Sequence, residues 1–137
     1  MSHPATKPRR QFRNLSLPQI LSYRLPLAGK VSIFQRISGV LLFISLPVIL
    51  LPLFEASLTS PESYAAMHDW VANPLCKIVL VVLIWAYLHH LCAGIRYLAF
   101  DLHFAVDKVN GQKTAGVVFG ISLALTLVFA LKIFGVW

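Results

Sequence analysis

The chain has 137 residues, 58% of them hydrophobic, and a formal net charge of +7 at neutral pH. That apolar content exceeds what an ordinary soluble domain carries and directs the reading to uninterrupted hydrophobic segments. The positive charge does not imply nucleic acid, because it is sorted by membrane side rather than laid along one binding face.

Residues 1–16 form a basic, proline-containing arm without a continuous apolar run, so a cleavable signal is not expected. The arm is read as irregular and drawn to acidic headgroups or a partner protein. Residues 17–26 mix apolar side chains with Tyr23 and Arg24, which suits a short interfacial segment begun by Pro18 and ended by Pro26. Together these make an amino-terminal region over residues 1–29, with residues 30–137 as a transmembrane anchor domain.

The first membrane helix is predicted over about residues 30–54, with Pro47 and Pro52 kinking or ending it on the outer side. Ser60-Pro61-Glu62-Ser63 reads as a turn and Tyr64 to Val71 as a short surface helix. Asn73-Pro74 opens the second helix, about residues 74–101, from which Lys77 can snorkel outward. Val109-Asn110-Gly111-Gln112 carries turn chemistry before the third helix, about residues 114–136. That helix has Gly116 and Gly120 at small-xxx-small spacing, with Lys132 and Trp137 at its outer interface. Each span meets the ~20 helical residues needed to cross ~30 Å of hydrocarbon. The fold class is therefore all-α integral membrane, three transmembrane helices in an up-down bundle.

Seven basic residues lie from Lys7 to Arg36, whereas the stretch from Glu55 to Asn73 has none and carries Glu62 and Asp69. Arg96, Lys108 and Lys113 follow the second helix, which places the amino terminus on the cytoplasmic or matrix side. A bacterial inner membrane is expected ahead of a mitochondrial one. Cys76 and Cys92, sixteen residues apart on one helix, are ~24 Å apart along the axis, beyond the ~7 Å a disulfide allows. With no other cysteine, iron–sulfur ligation by this chain alone is excluded.

His89 and His90 sit inside the second apolar segment. A buried imidazole in a membrane needs a partner, and heme iron and a proton path are the leading candidates. A porphyrin against a helix needs small residues one turn away. His90 has Ala86, Ala93 and Gly94 at those positions, whereas His89 has Trp85, so sterics favour His90 as the axial ligand. The alternative is that both histidines only hydrogen-bond neighbouring helices.

Ser32 and Arg36 are four residues apart and share a face. A hydroxyl with a guanidinium can hydrogen-bond a quinone carbonyl and stabilise negative charge during reduction. Arg36 equally suits a heme propionate, or is simply a positive-inside anchor. Arg96 and Asp101 are read as a pair, as propionate or partner contacts, or as an interfacial anchor beside a solvated acid. Tyr97 reads as an aromatic-belt residue and His103 as a solvated loop histidine.

The order of these pieces resembles the cytochrome b membrane-anchor large subunits of succinate dehydrogenase, respiratory complex II. The resemblance rests on Asn14-Leu15-Ser16-Leu17, on Ser32-x-x-x-Arg36-x-Ser38-Gly39, and on His90-x-x-x-Gly94-Ile95-Arg96-x-x-x-x-Asp101, and it covers most of the chain from Asn14 to the third helix. It implies a heme b held between this chain and a second membrane-anchor subunit, which supplies the other axial ligand. It further implies assembly with an iron–sulfur subunit and a flavoprotein subunit, with ubiquinone as electron acceptor. By position His90 matches the heme-iron ligand and Ser32 and Arg36 the quinone-site pair, with Arg36 and Arg96 as propionate contacts. Gln35 and Tyr97 stand where many relatives carry histidine. The competing readings are a fumarate reductase anchor, a heme-free anchor, and a small proton-coupled transporter subunit that would have to oligomerise to enclose a path.

Overall fold

The computed structural model describes residues 16–136, the side chains of Ile20 and Leu21 excepted. The arm up to residue 15, with Asn14 and Leu15 of the first motif, and Trp137 lie outside the described residues. The described elements are all helical: α1 Leu17–Ser22, α2 Leu27–Ser45, a wider π turn Leu46–Leu50, α3 Leu51–Thr59, α4 Pro61–Ala72, α5 Pro74–Asp101 and α6 Lys108–Ile133. Three rods are long and apolar enough to cross a membrane: the continuous Leu27–Thr59, α5 and α6. Their outer faces expose Phe43, Phe54, Leu75, Leu98 and Leu127, as expected where hydrocarbon rather than water is the solvent.

The prolines act differently from the sequence expectation. Pro26 does not end α1, which stops at Ser22; it caps the start of α2 in an extended conformation. Pro47 lies within the first rod, where it cannot donate to the ladder and its ring would strike the carbonyl one turn back. The π turn over Leu46–Leu50 widens the helix there, and the chain continues into α3 with Pro52 in its first turn. The rod therefore extends to Thr59 instead of ending near residue 54. At ~1.5 Å per residue its length is about 50 Å, well beyond the ~30 Å core.

Beyond the rod, Ser60 accepts from the Ser63 N–H at 3.1 Å while Ser63 Oγ accepts from the Ser60 N–H at 3.0 Å. This capping box makes Ser60-Pro61-Glu62-Ser63 the start of α4 rather than a free turn. Asn73 caps α5 by accepting from the Leu75 N–H at 2.9 Å. Asp107 accepts from the N–H groups of Val109 and Asn110 at 3.1 and 3.0 Å. That cap starts α6 at Lys108, so Asn110 and Gly111 are helical and the turn expected there is replaced by a first helical turn.

The ends of the helices show an up-down-up order. The Ala28 N–H donates to Gln112 Oε1 at 3.3 Å, joining the start of α2 to the start of α6. At the other end Lys77 of α5 lies 5.9 Å over the Phe134 ring, just past α6. The core is small and made of small residues: Val31, Ala93, Ala115 and Val118, with Ala28, Cys92, Tyr97 and Phe119 packed on it. Ala115, Val118 and Ser122 form the buried stripe of α6. Of the two glycines expected to pack, Gly116 lies under Leu27, whereas Gly120 faces open space.

Candidate functional site

Successive residues of α5 are about 100° apart, so His89 and His90 face different surroundings. His89 is fully buried. Its ring stacks on Trp85 (centroids 5.4 Å, 27° between planes) and is enclosed by Phe34 at 6.0 Å and Phe119 at 5.3 Å. Neither ring nitrogen has a hydrogen-bond partner. His89 is thus sealed among aromatics contributed by all three spanning rods.

His90 turns to the flank of α2. Its Nδ1 lies 3.1 Å from the Gln35 carbonyl oxygen and 3.2 Å from Ser38 Oγ, and that hydroxyl donates to the same carbonyl at 3.0 Å. A carbonyl can only accept, so Nδ1 carries the proton and Nε2 keeps its lone pair. The Gln35 side-chain nitrogen stands 3.5 Å from Nε2, while Gln35 Oε1 is buried without a partner. Gly39 makes the approach possible, since a Cβ there would meet His90 Cε1 at 3.0 Å. Of the small residues near His90, Ala86 and Ala93 face the interior, both fully buried. Gly94 is on the Gln35 side, with a would-be Cβ 3.9 Å from the Gln35 amide nitrogen.

Ser32 precedes Gly39 by seven residues, which puts it within about 20° of Gly39 and about 10 Å nearer the amino-terminal end of α2. Ser32 is half-buried and Arg36 exposed, and neither makes a hydrogen bond or ion pair among the described residues. Their donors are therefore available on the stripe that leads to His90.

Arg96 does not pair with Asp101. Its Nε donates to Thr114 Oγ1 at 3.1 Å and its Nη2 to the Gly111 carbonyl at 3.0 Å, with the guanidinium 4.4 Å over the Phe100 ring. Both partners are on α6, because the early start of α6 brings Gly111 and Thr114 alongside, and Asp101 is left exposed. Of the two guanidiniums expected near propionates, Arg96 is engaged by α6, whereas Arg36 makes no hydrogen bond or ion pair among the described residues. Tyr97 packs against the core and edge-on to Phe100 at 6.2 Å, rather than standing free in an aromatic belt. His103 is exposed in the loop, as read from the sequence.

An axial heme ligand needs one imidazole nitrogen free and the other held by an acceptor that fixes tautomer and ring plane. His90 meets that requirement once the Gln35 amide, 3.5 Å from Nε2, swings aside, and the orphaned Gln35 Oε1 shows that this side chain is not fully satisfied where it stands. The residues present thus fit heme. Sequence reasoning quoted Ser38 and Gly39 without giving them a role. Their place one turn after Gln35 was visible, but that they face His90 depends on how α2 and α5 pair.

A family model for the transmembrane subunits of succinate dehydrogenase and fumarate reductase matches residues 8–129. The chain is 34% identical over 119 residues to the succinate dehydrogenase cytochrome b556 subunit of Coxiella burnetii, covering 86% of this chain and 90% of that protein. It is 33% identical to the subunit of the same name from Paracoccus denitrificans, covering 85% and 89%. The cytochrome b560 subunit of Reclinomonas americana is 26% identical, covering 81% and 80%.

Proposed function

The chain belongs to the succinate dehydrogenase/fumarate reductase transmembrane subunit family, and from that premise we propose that it is the heme b-binding membrane anchor of a succinate:quinone oxidoreductase. It is a multi-pass membrane subunit of an oxidoreductase and does no substrate chemistry alone. Succinate is oxidised in a flavoprotein subunit, and electrons pass through an iron–sulfur subunit to ubiquinone at the basic end of this bundle. The best-matching relatives named above are bacterial, which supports a bacterial inner membrane with the amino terminus inside.

The observation that carries the heme assignment is the contrast between the two histidines. His89 is enclosed by aromatic rings, whereas His90 has Nδ1–H fixed by the Gln35 carbonyl, Gly39 beside its Cε1 edge, and Nε2 faced by the long side chain of Gln35 at 3.5 Å. His90 would hold the heme iron from this chain, and a second membrane-anchor subunit would supply the other ligand. Bound there, heme provides a one-electron reservoir beside the quinone site. Ser32 would hydrogen-bond a quinone carbonyl through its hydroxyl, and Arg36 would orient the same head and stabilise the negative charge that develops on reduction. Arg36 would equally suit a heme propionate as a planar donor.

The test is a reduced-minus-oxidised absorption spectrum of the purified complex with wild-type chain, His90→Ala and His89→Ala, together with its subunit content. A b-type band lost only in His90→Ala, with flavoprotein and iron–sulfur subunits co-purifying, is expected. A band that survives His90→Ala rejects the ligand assignment, and absence of the soluble subunits rejects the anchor reading.

A further inference from the structure

A groove of about 270 Å³ opens between α5 and α6 at the end where α5 stops and α6 starts. Its walls are almost wholly apolar, from Cys92 and Ala99 on α5 to Val117 and Ile121 on α6, with Phe104 of the connecting loop across one end. The loop reaches this position through left-handed backbone at His103 and Ala105, with φ of 60° and 57°, a conformation that costs non-glycine residues energy. Cys92 and Ala99 follow His90 by two and nine residues, so they lie about 200° and about 180° around α5 from it. The groove is therefore separate from the crevice at His90.

Arg96 also lines this groove and is only 7% exposed. Its hydrogen bonds go to a hydroxyl and a carbonyl, both uncharged. The five acidic side chains of the sequence are Glu55, Glu62, Asp69, Asp101 and Asp107. All are described, and none lies within 4 Å of the guanidinium. The carbonyl end of α5 supplies at most about half a compensating charge. A guanidinium buried this deeply within a spanning helix calls for an anion, and none of the acidic side chains described provides it.

We infer that the groove binds one anionic phospholipid of the adjoining leaflet, its acyl chain between α5 and α6 and its phosphate against Arg96. The occupant must be apolar along the helices and anionic at the level of the helix ends, which is the layout of an acidic lipid. A planar guanidinium pairs with phosphate through parallel N–H bonds, and basic pockets between spanning helices suit such headgroups. A neutral lipid satisfies the walls but leaves the charge uncompensated.

The test uses the intact complex, exchanged into phosphatidylcholine with a small fraction of phosphatidylglycerol and examined by native mass spectrometry. Arg96→Gln removes the charge, and Ala99→Phe fills the groove while keeping it. The wild type should retain phosphatidylglycerol through washing with phosphatidylcholine, and each variant should bind it on the order of tenfold more weakly, the scale of a charge-assisted hydrogen bond. If Arg96→Gln fails to assemble, Ala99→Phe decides. Equal retention of phosphatidylcholine, undiminished phosphatidylglycerol in Ala99→Phe, or a quantitative cross-link from Ile121→Cys to the second anchor subunit would overturn the assignment.

Discussion

Adjacent histidines one position apart on α5 are expected to respond oppositely to the same substitution. His89 makes no well-formed hydrogen bond, its polar neighbour being the Val31 backbone within α2, so His89→Phe removes a buried polar ring without breaking one. It should leave thermal stability unchanged or raised and retain the b-type band, whereas His90→Phe should abolish the band. His89→Ala, by contrast, opens a hole among Phe34, Trp85 and Phe119 and should cost about 2–5 kcal/mol, read as a fall in the unfolding midpoint. Gly39 and Gly94 give a second contrast. A Cβ at Gly39 stands 3.0 Å from His90 Cε1, while one at Gly94 makes only an ordinary 3.9 Å contact. Gly39→Ala should therefore shift the midpoint potential and the spin-resonance signal of the bound heme, and Gly94→Ala should leave both nearly unmoved. His90 was singled out in the sequence by its small neighbours, two of which face the core. The local features that favour His90 are the Gln35 carbonyl, Ser38 and Gly39, which no reading of α5 alone can supply.

The helix termini depend on caps whose removal can be followed locally. Ser60→Ala deletes one half of the box that starts α4 and should cost about 1 kcal/mol, seen as faster hydrogen exchange in the first turn of α4. The Asp107 carboxyl is held below its ordinary value, chiefly by the Asn110 backbone N–H and then its side-chain amide. A depressed folded value means that the cap is fully effective above the ordinary carboxylate range and weakens as pH falls through that lower value. Protection of the first turn of α6, normalised to intrinsic exchange rates, should fall in that acidic window, and Asp107→Asn should remove the dependence. The three spans were legible because apolar length alone determines them. The start of α6 was not, because Asn-Gly is turn chemistry in isolation and Asp107 overrides it by capping the turn before. The far end of the first rod was not legible either: Pro47 and Pro52 read as kinking or ending the helix near residue 54, but one wide turn carries the chain past Pro47 and α3 continues to Thr59.

Over the whole molecule, charge is divided between two ends. Arg24, Lys30, Arg36, Arg96, Lys108 and Lys113 gather with Asp101 and Asp107 where α2 and α6 begin and α5 stops, while Glu55, Glu62 and Asp69 lie toward the other end with Lys77 and Lys132. In the proposed orientation, a cysteine at exposed Glu62 should react with an impermeant maleimide applied outside intact cells, and one at exposed Lys108 only after the membrane is opened, in a background lacking Cys76 and Cys92. The reverse pattern would invert the topology. Both reactive stripes, Ser32–Arg36–Gly39 and the groove at Arg96, belong to the basic half, on opposite sides of α5. The other half carries the α3–α4 hairpin and its acidic groups. That hairpin bears on how the chain enters the bilayer. No Lys or Arg stands between Arg36 and Lys77, so the hairpin that must be translocated carries three carboxylates against the single ammonium of Lys77 that follows it. A membrane potential, negative inside, favours outward movement of each carboxylate charge by about 2.3 kcal/mol per 100 mV. Respiration would then help to insert one of its own components, and cells with a collapsed potential should integrate this subunit more slowly.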